Sequence, residues 1–257
     1  MTRVLLACYT LWVREIVRFH RQRSRIVGAL GSPLVFWFLI GSGLNRSFQG
    51  SKEMALQGGY LEYFYPGTLA LIILFTAIFA TISIVEDRQE GFLQGVLVAP
   101  VPRAAIVVGK IVGATTIAVI QGVVFLLLAP LAHVRIHLID VPALIGVMTL
   151  VSFGLSGLGF LVAWWLDSTQ GFHAVMNIFL IPLWILSGAL FPAAGAAGWV
   201  RVLMFVNPMT YGVAALRWFF YDQVLPGEPS FGLSLAVVAG FGVVMAAAGT
   251  IAVRRTR

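Results

Sequence analysis

Three places in this chain bring together residue types that can do chemistry: Glu86, Asp87, Arg88 and Glu90; Gly109-Lys110; and His133 with His137. Gly109-Lys110 is the pair that closes a phosphate-binding loop, but the pattern G-x-x-x-x-G-K-S/T fails on both sides, with Ala104 at the first glycine and Ile111 after the lysine. The chain is therefore not expected to hydrolyse ATP. His133 and His137 stand four apart and could share a helix face, yet neither HExxH nor a third ligand accompanies them. They read as interfacial histidines, and no metal is expected. No acid, base or metal cluster recurs at a common depth, as an intramembrane lipid-modifying enzyme would need. No Asp, Glu, Lys or Arg stands near the middle of an apolar run, as an ion-coupled secondary transporter would usually require. What remains is the charged segment that starts at Glu86, and its meaning depends on the elements that hold it.

Those elements belong to a membrane. Hydrophobic residues make up 60% of the 257 and charged residues 11%, against about 25% charged in soluble domains. About 20 apolar residues cross the hydrocarbon as a helix. Ile26 to Leu44, Phe64 to Val85, Ile111 to Ala132, Val141 to Leu166 and Phe231 to Val253 each meet this length without an Asp, Glu, Lys or Arg. A sixth span, at 172–191, is placed inside the over-long uncharged run from Ser168 to Val200, which Pro182 and Pro192 punctuate. Val202 to Leu216 is too short to span and is broken at Asn207-Pro208, so it reads as a re-entrant or interfacial piece. The fold class is all-α and polytopic, in one domain over 1–257.

Six spans put both termini on one side, with all but five of the 17 basic residues; Arg46, Lys52, Arg135, Arg201 and Arg217 lie opposite. The positive-inside rule makes that side cytoplasmic. The net charge of +7 is thus topological, and no stacked-aromatic motif points to nucleic acid. The basic stretch before Ile26 is too long for a secretory signal. The single Cys8 forms no intrachain disulfide and reads as a small apolar residue. At about 100° per residue, Arg3, Arg14, Arg18, Arg21 and Arg25 fall in one stripe of an amphipathic helix over 1–25, opposite Leu5, Cys8, Tyr9, Trp12, Ile16 and Phe19. This helix is expected in the cytoplasmic interface, its arginines at anionic lipid heads and Trp12 and Phe19 in the acyl boundary.

The segment 86–103 comes off the second span with four charges and stops at Pro100 and Pro102. Between them Phe92, Leu93, Val96 and Leu97 share one face of a short helix. With no cytoplasmic domain to cover it, that face implies a partner. Lys110, alone among uncharged residues, is expected to snorkel toward Glu86, Asp87 or Glu90.

The run from Glu86 through Val98-Ala99-Pro100-Val101-Pro102-Arg103 resembles the loop of ABC-2 type export permeases, the membrane subunits of bacterial ATP-binding-cassette exporters, including drug-resistance and nodulation or polysaccharide permeases. Ser187-Gly188-Ala189-Leu190-Phe191-Pro192, followed by Asn207-Pro208-Met209-Thr210-Tyr211-Gly212 and Leu216-Arg217, is similar to the late outer segment of the same family. The resemblance covers essentially the whole chain. It implies that Glu86, Asp87, Arg88, Glu90, Phe92, Leu93, Val96 and Leu97 form a coupling helix that docks on a separate ATP-binding subunit, where ATP and Mg bind. It also implies that 192–221, bearing Phe191, Pro192, Asn207, Pro208, Tyr211 and Gly212 at its edges and centre, forms two short helices dipping in from outside. The resemblance further implies two permease copies exporting a cargo across a bacterial inner membrane, and the near absence of charge inside the spans favours an amphipathic or lipid-linked cargo over a small ion. Small residues in the fourth span (Ser152, Gly154, Ser156, Gly157, Gly159) and the sixth (Gly240, Gly242, Ala246, Ala247, Gly249) permit close helix contact, within one chain or between two.

Overall fold

The computed structural model describes residues 2–48, 59–132, 134, 136–221 and 227–255, with the side chains at 2, 3, 23–26, 29, 44–48 and 59 outside that description. Arg3 and Arg25 of the basic stripe, and His133, therefore lie outside the described side chains. Every regular element among the described residues is helical: α1 (Thr2–Arg21), α2 (Arg23–Phe48), α3 (Gly59–Ala80), α4 (Ser83–Gln89), α5 (Phe92–Val98), α6 (Arg103–Leu126), α7 (Val141–Trp165), α8 (Thr169–Trp184), α9 (Gly198–Val206), α10 (Pro208–Tyr221) and α11 (Phe231–Arg255). A π turn, Ile185–Ala189, prolongs α8. Among the described residues, five stretches are long and apolar enough to cross a membrane: Tyr60–Gln89, Arg103–Leu126, Val141–Trp165, Thr169–Ala189 and Phe231–Arg255. The pair α9 and α10 would make a sixth but is bent by 82°, and α2 contributes a shorter apolar stretch, Leu30–Gly43. The protein is a multi-pass membrane protein.

Local chemistry sets the helix ends. Ser168 accepts a hydrogen bond from the Gly171 amide at 2.9 Å and so caps α8. Pro102, which has no N–H to lose, stands just before α6. That start moves the third span: it begins at Arg103, not Ile111, and Lys110 lies two turns inside a helix. The second span likewise runs on past Val85, through a break at Thr81-Ile82, to Gln89.

α3 is the axis of the bundle. It packs against α2, α6, α7, α8 and α10, and nearly every residue from Tyr60 to Val85 is buried. Tyr65 stacks on Phe125 of α6 at 4.6 Å between ring centres, and Trp37 of α2 meets that Phe125 edge-on at 6.0 Å. The small residues of α7 serve contacts within the chain. A Cβ at Gly157 would lie 2.7 Å from the Met245 Cβ of α11, and one at Gly159 would lie 3.1 Å from the Ile78 Cα of α3. α1 lies along α6.

Candidate functional site: two ionic clusters and a cavity

At one end of α3, α1, α4 and α6 converge on Asp87. Its carboxylate is fully buried and accepts from Arg14 at 2.8 and 2.6 Å, from Arg18 at 2.6 Å and from Lys110. Lys110, 3% exposed, also donates to Glu15 at 2.5 Å and to the Ser83 hydroxyl at 3.3 Å. Arg18 reaches Glu86 and Glu90 at 3.0 Å. Lysine burial is tolerable here because each N–H direction meets an acceptor and two of those carry negative charge. Trp12 donates to the Thr116 hydroxyl at 3.0 Å, and Cys8 donates its thiol to the Ala105 carbonyl at 3.4 Å, burial pushing that thiol's pKa above its ordinary value.

The N-terminal helix is also tied to its own chain. Arg14 and Arg18 pair with acids of α4, Trp12 meets α6, and Phe19 packs against α6 and α3. Arg21 is exposed, as are the apolar Leu5, Leu6, Tyr9 and Val17. The tie is electrostatic: the buried acids Asp87 and Glu15 hold the nearby guanidinium and ammonium groups.

The segment 86–103 is divided between two helices. Glu86, Asp87 and Arg88 end the span helix in α4; after Glu90 the chain turns at Gly91, whose φ of 76° suits glycine, into the seven-residue α5. The apolar face expected to stand open is partly covered by the chain itself: Leu93 is buried, Val96 and Leu97 are half-buried, and the Arg14 guanidinium lies 3.7 Å from the centre of the Phe92 ring. Gln94, Gly95 and Val98 are exposed, as is part of Phe92. Arg88 turns away from α5 and donates to the Trp164 and Leu166 carbonyls at 2.5 and 3.0 Å and to Asp167 at 2.9 Å, closing the C-terminal end of α7. Arg103 does the same for α11 through the Val253 and Arg254 carbonyls, at 2.9 and 2.7 Å.

At the other end of α3 a second cluster centres on Arg217 of α10, 1% exposed. It is paired with Glu228, donates to the Gly188 carbonyl at 2.8 Å and lies 4.3 Å from the Tyr63 ring centre. Tyr63 donates to the same carbonyl at 2.9 Å, Tyr60 donates to the Leu190 carbonyl at 2.9 Å, and Gly188 has a φ of 83° within the π turn. Asn207 makes the α9–α10 corner. Its Oδ1 accepts from the Met209 amide at 2.9 Å, capping α10 with Pro208 in the first turn, while its Nδ2 donates to the Leu183 carbonyl of α8 at 2.6 Å. Tyr211 donates to the Phe205 carbonyl at 2.9 Å, Gly212 packs on Val151 of α7, and Phe191 and Pro192 lead, half-buried, out of the π turn.

Between α2, α3 and α8 opens a cavity of about 460 Å³. Phe36, Phe75, Phe79 and Trp184 are among its walls; its polar groups are Ser32, Thr76, His173 and Asn177. Thr76 donates to Gln121 Oε1 behind the wall at 2.5 Å, and the buried Gln121 Nε2 has no hydrogen-bond partner among the described residues. No Asp, Glu, Lys or Arg is among the lining residues. The sequence reading gave no role to Glu15 or Asn177 and did not pair Arg217 with Glu228. Arg217 carried the signal that marked Lys110, a lone charge in an uncharged helix; Glu15 and Asn177 carried none.

Known proteins resemble this chain in sequence. A sequence profile of the family described as ABC-2 type transporter matches residues 7–221. The chain is 25% identical over 217 residues to the transport permease ycf38 of Cyanophora paradoxa, covering 82% of this chain and 73% of that protein. It is 24% identical over 247 residues to the inner membrane transport permease YadH of Escherichia coli, 93% of each. To the probable multidrug ABC transporter permease YbhR of Escherichia coli it is 28% identical over 155 residues, 59% of this chain and 42% of that protein.

Proposed function

Because the chain belongs to the ABC-2 type transporter family, whose permeases work with an ATP-binding subunit, we propose that it exports an amphipathic or lipid-linked cargo across a bacterial inner membrane, driven by ATP and Mg held on that separate subunit. One observation carries the mechanism: α5 is joined to α1 through Arg14 on Phe92, and α1 is joined to α4 and α6 through Asp87, Glu15 and Lys110. A displacement of α5 by the docked ATP-binding subunit cannot stay local, because ion pairs buried at low dielectric resist separation. It reaches α6 through Lys110 and α7 through Arg88. The exposed residues Gln94 and Val98 are the docking side, and Phe92, Leu93 and Leu97 are the side that transmits. The uncharged cavity suits an apolar or amphipathic cargo better than coupling to an ion. Two copies form the pathway, and both termini are cytoplasmic.

The test is to place charge on the docking side alone. Gln94→Glu with Val98→Asp, in a chain carrying a reporter after Arg257, is expected to insert with the reporter cytoplasmic and to lose at least tenfold of the transport and of the ATPase stimulation seen with the operon's ATP-binding subunit. Wild-type transport by this variant would remove α5 from the coupling path.

A further inference from the structure

The cavity between α2, α3 and α8 carries two polar side chains that the protein does not use. His173 and Asn177 stand one turn apart on the same face of α8, about 6 and 12 Å along the helix from Thr169. His173 lies beside the Phe79 ring at 5.0 Å between centres, and neither side chain makes a hydrogen bond to any described residue. Both residues are exposed toward that cavity, and a polar side chain on a helix that spans a bilayer is costly unless something meets it. A helix that only had to pack against lipid would carry apolar side chains there, as it does at its exposed neighbours Ile178 and Phe179.

From this juxtaposition we infer that the cavity is a binding site for an amphipathic molecule whose head group bears hydrogen-bond acceptors and no positive charge. His173 and Asn177 donate to the head, and Phe36, Phe75 and Trp184 cover its apolar body. Both side chains can present N–H donors, and Ser32 adds a hydroxyl at the same cavity. The absence of any carboxylate from the described lining leaves a cationic head without a counter-charge. A volume of about 460 Å³ lies within the range of drug-sized sites. This rests on the permease reading for its purpose, but binding itself needs only this chain.

The experiment uses the purified full-length chain in lipid nanodiscs, without the ATP-binding subunit, and three spin-labelled stearyl probes that differ only in the head: carboxylate, methyl ester and trimethylammonium. Quenching attributable to Trp184 is the difference between the wild-type chain and Trp184→Phe. Saturable quenching is expected for the carboxylate probe, at least fivefold weaker for the trimethylammonium probe. His173→Leu with Asn177→Leu is expected to weaken the carboxylate probe at least fivefold and leave the methyl ester less affected. Asn177→Asp is expected to shift preference toward the cation. Equal or tighter binding of the cation by the wild type overturns the inference, as does an unchanged carboxylate affinity in the double leucine variant. So does a change in particle mass by light scattering in that variant with probe binding intact, which would assign the pair to a contact between copies. Failure to assemble with an ATP-binding subunit would sink the permease reading and leave these outcomes standing.

Discussion

The two ionic clusters at the ends of α3 solve the same problem, a cation buried in an apolar bundle, by opposite means. Around Asp87, three cations meet four acids: Arg14, Arg18 and Lys110 against Glu15, Asp87, Glu86 and Glu90, drawn from three helices and the turn that follows α4. Around Arg217 there is one guanidinium, one carboxylate, a backbone carbonyl and an aromatic face. A redundant cluster can lose one contact without stranding a charge. A cluster with one carboxylate cannot. The first is built to pass on a movement and the second to hold the α8–α10 corner still, with α3 as a rod of about 33 Å between them.

The largest effect should come from removing the cation with no substitute. Arg217→Met leaves Glu228 buried without a partner and removes a donor from the Gly188 carbonyl, so stability should fall by about 3–5 kcal/mol. Little of this variant should reach the membrane, and what does should melt far below the wild type. Adding Glu228→Gln should recover part of the loss, because the stranded charge goes with it. A single variant that melted with the wild type would mean that the outer cluster is no more singular than the inner one.

Lys110→Met should cost less, about 2 kcal/mol, although Lys110 is as buried as Arg217, because Asp87 keeps Arg14 and Arg18. Its larger effect should be functional: ATP hydrolysis by the partner continuing while transport falls, read as a changed ratio of cargo moved to phosphate released. Glu15→Gln in the same background should add little, since both changes remove one contact. Additive losses in that double-mutant cycle would show that Lys110 and Glu15 act separately and that the cluster is not one unit.

How far such contrasts were legible in the sequence depends on how far the chain travels to make them. Helices, their number and the segment around Asn207-Pro208 follow from apolar length and helix breakers, which are local. Lys110 was visible as a lone charge, and Asp87 as a near neighbour along the chain. Glu15 was not, because it meets Lys110 only when α1 folds back along α6, 95 residues away. Periodicity located the apolar face of α5, but it could not say that α1 supplies the cover over Phe92. Spacing put Arg14 and Arg18 on one stripe but could not name the acids they meet, since sequence spacing fixes a face of a helix and not what lies opposite it.

The smallest effect is the one that most sharply separates exposed from buried pairs within a single cluster. Arg18 touches three acids, Asp87, Glu86 and Glu90, yet its side chain keeps 18% of its exposure and Glu90 keeps 58%. Charges that share water with a salt bridge are screened by ions within about 8 Å at physiological strength, and exposed pairs contribute about 0–1 kcal/mol. Arg18→Gln should therefore lower stability by about 0.5–1 kcal/mol in low salt, and the difference from wild type should shrink when the melt is repeated in 1 M NaCl. The Lys110→Met difference should persist in the same salt, because Lys110 and its two carboxylates are buried. If salt erased both differences equally, the Lys110 junction would be open to solvent, and the mechanical link from α5 to α6 would lose its physical basis.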